Sequence, residues 1–542
     1  MTAAREPRFP AGREASGAGD PKRAGARDPV LRTAFAIAIA AFLLFALTGG
    51  GRVVGSDEVT MLELSRSLLS GRIDVPEGAT LKGPNGRFYT KNSAGQALVA
   101  LPLVAVADGA SRLAGLPPAR RELAARFGVS FFNAVVTAIL LAAFYIAARQ
   151  LGVGGGAGLA ACAMLGFTTP VWVYAKSFMA EPLEALGLLL ALTCAVRVRT
   201  GDAPAARRSA LGALLAIAVK LTMLPLALAC MLPLAGVPAS ERRRLWAWPA
   251  GAVAVALGFH LAYDLARFGN PLETGYGAQA SPSAYSTPFL VGLYGLLFSS
   301  GKGLAWFAPA LWLAPLGLRA FSRSGAGAGS TPRAEVATAA RWAFAPAAAA
   351  LALYAPFQHW AGDGSWGPRY LVPLLPLGFL AVAGALDHAP RGRRIASMIL
   401  AAAGLVVQIG GVAIYFGAQM REAGDYPYTL PLGSPRFMSD SHFNPAFTPI
   451  RGHWRMLTRN LGEHVRGEMP RITAGPDPES RLGIDAQDQQ RLLHALDFWW
   501  AYALYAGTPA PAVAAAVLAL VMGLAFALRR AAAAFRAETR AP

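Results

Sequence analysis

From Leu31 onward the sequence is a succession of apolar runs of bilayer length, separated by short arginine-bearing links. No other feature limits the fold as tightly. In hydrocarbon a backbone must satisfy its own N–H and C=O groups, and separate apolar runs can do so only as helices. A crossing takes about 20 residues, fewer where the bilayer thins. Crossings are predicted at 31–50, 95–112, 126–148, 182–197, 209–219, 222–236, 246–266, 303–320, 340–358, 369–386, 395–417 and 510–528. The expected fold class is an all-α polytopic membrane protein of about 12 helices. Composition agrees, since a chain of 542 residues that is 54% hydrophobic and 15% charged lacks the polar surface for several soluble cores.

The net charge of +19 does not point to nucleic acid, because the arginines sit in the links and form no stripe. They follow the positive-inside pattern. On that rule Arg23, Arg27 and Arg32, the link with Arg120, Arg121 and Arg126, the cluster Arg197 to Arg208, and Arg242 to Arg244 are cytoplasmic. So are Arg319 with Arg323, Arg391 with Arg393 and Arg394, and Arg529 with Arg530. Residues 152–168 are apolar enough to cross, but a crossing there would turn the Arg197–Arg208 cluster outward, so a re-entrant or outer-leaflet element is expected. A tight hairpin with Lys220 at its outer turn brings Arg208 and Arg242 to the same side.

The expected organisation is a disordered basic cytoplasmic tail at 1–30, a transmembrane module at 31–417, an exoplasmic elaboration at 418–509, a last crossing at 510–528 and a basic tail at 529–542. An interfacial helix with Trp499, Trp500 and Tyr502 is expected late in the elaboration. Cys162, Cys194 and Cys230 lie inside apolar runs and suggest neither a disulfide framework nor a zinc site.

The chemistry-bearing residues gather in the outward segments. "GSDEVTMLEL" sets Asp57 and Glu58 at the mouth of the first crossing, at the start of an amphipathic helix that should lie in the interface. Ser56 and Asp57 also fit a plain helix cap. "GRFYTKNSAGQALVALPL" brings Tyr89, Lys91 and Asn92 up to the next apolar run. Glu181 in "MAEPLEALG" suits a helix start, Lys220 a lysine that snorkels to the interface, and Arg369 an interfacial anchor. "FGNPLETGYG" carries Asn270 and Tyr276, which either shape a loop or touch substrate. "LLFSSGKGL" has the wrong glycine spacing for a phosphate loop.

Taken in order, these stretches resemble the integral-membrane glycosyltransferases of the GT-C fold, close to the protein mannosyltransferase and lipid A aminoarabinose transferase group. "VYAKSFMAEPLEALGLLLAL" is similar to the family's second carboxylate at a helix mouth, with Glu181 where Asp is more usual. "LLAIAVKLTMLPLAL" resembles its lysine-bearing hairpin, and "HWAGDGSWGPRYLVPLLPL" its outward Trp/Gly-rich loop. The resemblance spans 20–420 in organisation and leaves 420–509 unmatched.

It implies a polyprenyl-phosphate-linked sugar as donor and a glycan, lipid or protein as acceptor, joined at the exoplasmic face of the inner (plasma) membrane. Asp57 would take the acceptor's proton, with Glu58 or Glu181 orienting the acceptor. Lys220, Arg369 and Lys91 would hold the donor phosphate, and Tyr89, Tyr276, His359, Asp363 and Trp366 would contact substrate. A single base opposite a phosphate leaving group favours inversion. The carboxylates leave room for a divalent cation, though no ligand cluster marks one. A multi-pass transporter or lipid flippase is the alternative; the two halves show no repeat of the kind transporters carry. A non-catalytic scaffold or polymerase subunit is a third reading.

Overall fold

In the computed structural model, the structure describes residues 21–78, 80–199, 201–324, 338–362, 364–422, 442–472 and 486–540. It is a helical bundle; the strands among these residues are a two-residue antiparallel pair, β1 (Leu81–Lys82) and β2 (Phe88–Tyr89). The first half contains α1 (Pro21–Thr48), α2 (Ser56–Leu69), α3 (Gly95–Leu113), α4 (Pro118–Val129), α5 (Phe132–Gln150), α6 (Gly155–Phe167), α7 (Val171–Tyr174), α8 (Glu181–Arg199), α9 (Ala205–Val219), α10 (Leu224–Met231) and α11 (Ala239–Phe268). Then come α12 (Phe289–Phe298), α13 (Leu304–Phe307), α14 (Ala314–Ser324), α15 (Phe344–Tyr354), α16 (Leu375–Leu386), α17 (Arg391–Ala413), α18 (Phe416–Glu422), α19 (Pro449–Val465), α20 (Ala486–Arg491), α21 (Trp499–Tyr505) and α22 (Ala510–Arg540). Among the described residues seven helical stretches are long and apolar enough to cross a membrane.

Contacts distinguish the two ends of the bundle. At one end Arg197 of α8 donates to Gln150 of α5, Arg149 reaches Glu538 of α22 at 2.6 Å, and Gly154 lies against Asp387. At the other, Phe131 lies against Gly49 after α1, and Trp172 donates to Thr48 at 3.0 Å. α6 therefore leaves the Arg149 end and leads, through α7, to the Thr48 end. It traverses the bundle, contrary to the re-entrant element expected at 152–168.

The compensating correction falls on α3. It is long and apolar enough to cross, yet both of its ends stay at the Thr48 end. Gly95 packs on the backbone that closes α9, and Asp108 pairs with Arg66 of α2 at 3.0 Å. Arg126 of α4 donates to the carbonyl of Val53, and α5 consequently runs opposite to its expected direction. Of the arginines counted in this link, Arg126 is neutralised in place, by a carboxylate that also serves Arg66 of α2. Arg66 meets Glu63, Asp108 and Glu122, and Arg126 meets Glu122 at 2.7 Å.

Lipid gives apolar helices little reason to associate, so close packing depends on small residues. Between α8 and α9, a Cβ on Gly187 would sit 2.7 Å from the carbonyl of Gly212, and one on Gly212 would sit 2.6 Å from that of Gly187. These contacts fix an antiparallel register that brings the Glu181 end of α8 to the Lys220 end of α9.

Two further expectations shift. Residues 510–540 form one helix, so the stretch from 529 onward is no separate tail; its Glu538 accepts from Tyr145 at 2.9 Å. Of the disordered tail expected at 1–30, residues 1–20 lie outside the described part and 21–30 belong to the first helix. The expected interfacial helix is α21, and its tryptophans serve α1. A helix leaves its last carbonyls unpaired, and the indoles of Trp499 and Trp500 donate to those of Ala46 and Leu47 at 2.9 and 3.1 Å.

Candidate active site

α2 starts after Gly55, and the residue that closes its first turn is Glu58. One oxygen of Glu58 accepts from the backbone N–H of Gly55 at 2.7 Å and of Val54 at 3.2 Å, and the other accepts from Phe178 at 2.5 Å. The capping task expected of Ser56 or Asp57 is thus done by Glu58, which is buried. Successive helical residues point about 100° apart, so Asp57 faces elsewhere.

Asp57 meets Arg369 at 3.2 Å and Lys91 at 3.8 Å. Arg369 opens the helical turn 369–374, and its Nε donates to Glu181 at 2.5 Å. One guanidinium therefore joins the carboxylates at the starts of α2 and α8. Asp57 keeps 25% of its side chain exposed, and Glu181 only 1%. The second oxygen of Glu181 has no hydrogen-bond partner among the described residues. Burial raises the pKa of Asp57, but the pull of Arg369, Lys91 and Lys220 outweighs it and holds the carboxyl below its ordinary value.

Asp57, Lys91, Lys220 and Arg369 face one cavity of about 410 Å³. Lys220 occupies the extended break after α9 and lies 5.0 Å from the centre of the Tyr370 ring, which stacks on Tyr354 at 4.3 Å. Tyr354 donates to Thr222 at 2.9 Å. On the opposite wall Tyr276 donates to Asn92 at 3.2 Å, and Lys91 lies 5.6 Å over the Tyr276 ring. His359 stands between Gln279 and Gln358, at 3.4 and 3.3 Å. Arg267, paired with Asp264 and bonded to the carbonyl of Thr90, completes the lining. A cavity with several cations, one partly exposed carboxylate and walls of tyrosine and amide can hold an anionic group beside a hydroxyl-rich one.

Of the residues expected at the site, Asp57, Lys91, Lys220, Tyr276, His359 and Arg369 share this cavity, and Glu181 stands directly behind Arg369. Besides Glu181, three do not line it. Glu58 is occupied by backbone N–H groups. Tyr89 is buried, packed edge-on against Phe268, with its hydroxyl accepting from Asn85 at 2.6 Å. Trp366 is buried between Phe307 and His453 and donates to Gln408 at 3.0 Å. Asp363 lies outside the described residues.

Sequence reasoning missed Asp264 and Arg267, hidden at the end of an apolar run. Their spacing of three, which pairs side chains on one helical face, was the available signal. It also missed Glu184, three residues after Glu181 on the same face, buried and with one oxygen unpartnered among the described residues. Lys302 of the glycine-rich stretch is buried and donates to the carbonyl of Ser365 at 2.6 Å, a structural bond. Among the described residues no three His, Cys, Asp or Glu side chains form a ligand set.

No known protein family's profile matches the chain, and no curated protein matches it. Two solved structures are similar, both of ArnT from Cupriavidus metallidurans. The apo form is 15% identical, with 93% of this chain and 76% of that one covered and a TM-score of 0.43. The form bound to undecaprenyl phosphate is 16% identical, with 85% and 76% covered and a TM-score of 0.45. What the cavity can do therefore follows from its own residues.

Proposed function

We propose that the protein is a membrane glycosyltransferase that moves a sugar from a polyprenyl-phosphate carrier to an acceptor hydroxyl or amine. The observation that carries this reading is the single cavity in which Asp57 faces Lys91, Lys220 and Arg369, each from a different segment, at one end of an apolar bundle. A lipid-borne donor and a water-borne acceptor can meet only at such an end.

In this reading the acceptor oxygen or nitrogen forms a bond to the anomeric carbon as the bond from that carbon to the phosphate oxygen breaks. The acceptor's proton passes to Asp57, and the carrier leaves as polyprenyl phosphate. Fixed cations lower the barrier because charge grows on the leaving phosphate in the transition state. In the free protein the same cations hold Asp57 ionised and make it a weak base. A bound phosphate draws on Arg369 and Lys91 and so raises the basicity of Asp57 when the acceptor arrives. Attack from the face opposite the phosphate inverts the anomeric centre. Tyr276, His359 and the neighbouring amides supply surfaces for the sugar.

Charge supports the exoplasmic placement of the site. The Arg149 end of the bundle also carries Arg197 and Arg199, with Arg208 bound to Asp202 beside them. The positive-inside rule assigns that end to the cytoplasm and the cavity to the exoplasmic face.

The test is transfer by the purified chain in liposomes, supplied with a panel of polyprenyl-phosphate sugars. The expected result is release of polyprenyl phosphate in step with a glycosylated product. Movement of intact donor between leaflets, with no consumption of any sugar in the panel, would replace the transferase with a transporter.

A further inference from the structure

Arg52 and Lys176 stand five residues before Asp57 and Glu181, in the two loops that lead into α2 and α8. They come from distant parts of the chain and converge on one carboxylate, Asp497, between α20 and α21. Arg52 pairs with one of its oxygens and Lys176 with the other at 2.8 Å. Tyr502 donates to it at 2.9 Å. The ammonium of Lys176 also donates to the main-chain oxygens of Asp497 and Val412 at 2.6 and 2.7 Å, and the N–H of Asp497 donates to Ala413 at 2.8 Å. The Arg52 guanidinium lies between the rings of Tyr415 and Tyr502, 4.6 and 4.4 Å from their centres. Asp497 and Lys176 keep 6% and 8% of their side chains exposed.

The same two loops are tied a second time by Glu58, which joins Gly55 to Phe178. A third tie runs from the Tyr174 hydroxyl to the carbonyl of Trp366 at 3.2 Å, three residues before Arg369. None of Asp497, Glu58 and Tyr174 lines the 410 Å³ cavity. Yet the loops they join are those that deliver Asp57, Glu181 and Arg369 to it. A buried ion pair contributes little net stability compared with well-packed apolar residues, because desolvation offsets its attraction. Its geometry, however, is strict. Three donors fixed on one carboxylate set the register of the two loops in a way that apolar packing would leave loose.

We propose that Asp497 is a positioning residue: it clasps the Arg52 and Lys176 loops so that Asp57 and Glu181 meet on the Arg369 guanidinium. The segment 486–505 is then part of the frame of the site, although it contributes nothing to the cavity wall. The effect on turnover rests on the proposed transferase reading; the effect on geometry does not.

The experiment uses the full chain with Asp57→Cys as a reporter. The three native cysteines are buried, and a thiol beside Arg369 and Lys91 is activated as thiolate, so iodoacetamide should alkylate position 57 quickly. Adding Asp497→Asn is expected to slow that alkylation by about fivefold or more as the thiol moves away from the cations. In the otherwise unchanged chain, Asp497→Asn is expected to lower kcat by about tenfold or more with the donor KM within about threefold.

Unchanged reactivity at position 57 overturns the proposal whatever happens to turnover, and so does an effect confined to KM. If the unsubstituted chain transfers no sugar, the transferase reading falls and the alkylation rates still decide the clasp. If Asp497→Asn does not fold, Arg52→Lys decides by the same readouts. It keeps the charge beside Asp497 but loses the guanidinium fork, and it is expected to shift the alkylation rate by about twofold or more; no shift overturns the clasp.

Discussion

Two ionic clusters lie on either side of Glu58, and their carboxylates differ in how fully they are engaged. In the Arg52–Lys176–Asp497 cluster both oxygens of the acid are held by donors at hydrogen-bond distance. Burial raises the Asp497 pKa, yet the pull of Lys176 and Arg52 wins and keeps it well below the carboxylate range. In the Asp57–Arg369–Glu181 cluster a single guanidinium serves two acids, Asp57 stays partly open to the cavity, and Glu181 and Glu184 keep unpartnered oxygens among the described residues. An unpartnered buried polar atom costs about 1–3 kcal/mol. The first cluster engages both carboxylate oxygens, with the Nε of Arg52 left unpartnered among the described residues, and fits the structural clasp proposed above; the second keeps carboxylate oxygens without donors beside an open cavity and fits the proposed ligand site.

The largest expected break in this comparison is Arg369→Lys. The ammonium keeps the charge but cannot reach both Asp57 and Glu181, so transfer is expected to fall by about 100-fold. Activity within a fewfold of the unsubstituted chain would make Arg369 an interfacial anchor.

Lys91→Met should have a smaller effect, seen as a shift in pH profile. In the proposed reaction Asp57 works as the ionised form, and its depressed pKa keeps that form present as pH falls, so the acid limb of kcat/KM should lie below the ordinary carboxylate value. Removing Lys91 takes away one of the cations holding that pKa down. The limb should then move to higher pH, with turnover at neutral pH reduced only a fewfold. A limb that stays in place would remove Lys91 from the charge balance of Asp57.

The smallest effect on turnover is expected for Glu58→Gln. The amide oxygen can replace only part of what the carboxylate accepts from Val54, Gly55 and Phe178. Stability should fall by about 1–3 kcal/mol, measured as a lower unfolding midpoint, while turnover of the folded fraction stays within about twofold. Loss of turnover without loss of stability would return Glu58 to the chemistry expected of it from sequence.

The membrane bundle was legible because repeated apolar runs leave the chain no other solution. The exchange of α3 for α6 was not. Counting arginines treats each as a free charge, whereas Arg126 is neutralised by Glu122 one turn away on α4, which also pairs with Arg66 of α2. At the site, Asp57, Lys91, Lys220 and Arg369 stood out as charges at the mouths of apolar runs. The choice between Asp57 and Glu58 depends on which of the two closes the first turn of α2, and residue type does not decide that. That Tyr89 and Trp366 lie outside the 410 Å³ cavity was hidden for a similar reason. An aromatic side chain suits a sugar platform and a buried core equally well, and only the partners of its polar atom separate the two. Asp497 drew no notice because its two cationic partners, Arg52 and Lys176, lie more than 300 residues away along the chain.

The most direct test of the account is Asp57→Asn beside the unsubstituted chain, each purified, with donor dissociation constant and single-turnover transfer measured on the same preparation. The asparagine keeps the shape of the side chain and removes the base, while Lys220, Arg369 and Lys91 remain to hold the phosphate. Donor binding is expected to stay within about threefold while transfer falls by about 100-fold or more. Transfer that survives the substitution, or a loss explained entirely by weaker donor binding, would contradict the role assigned to Asp57.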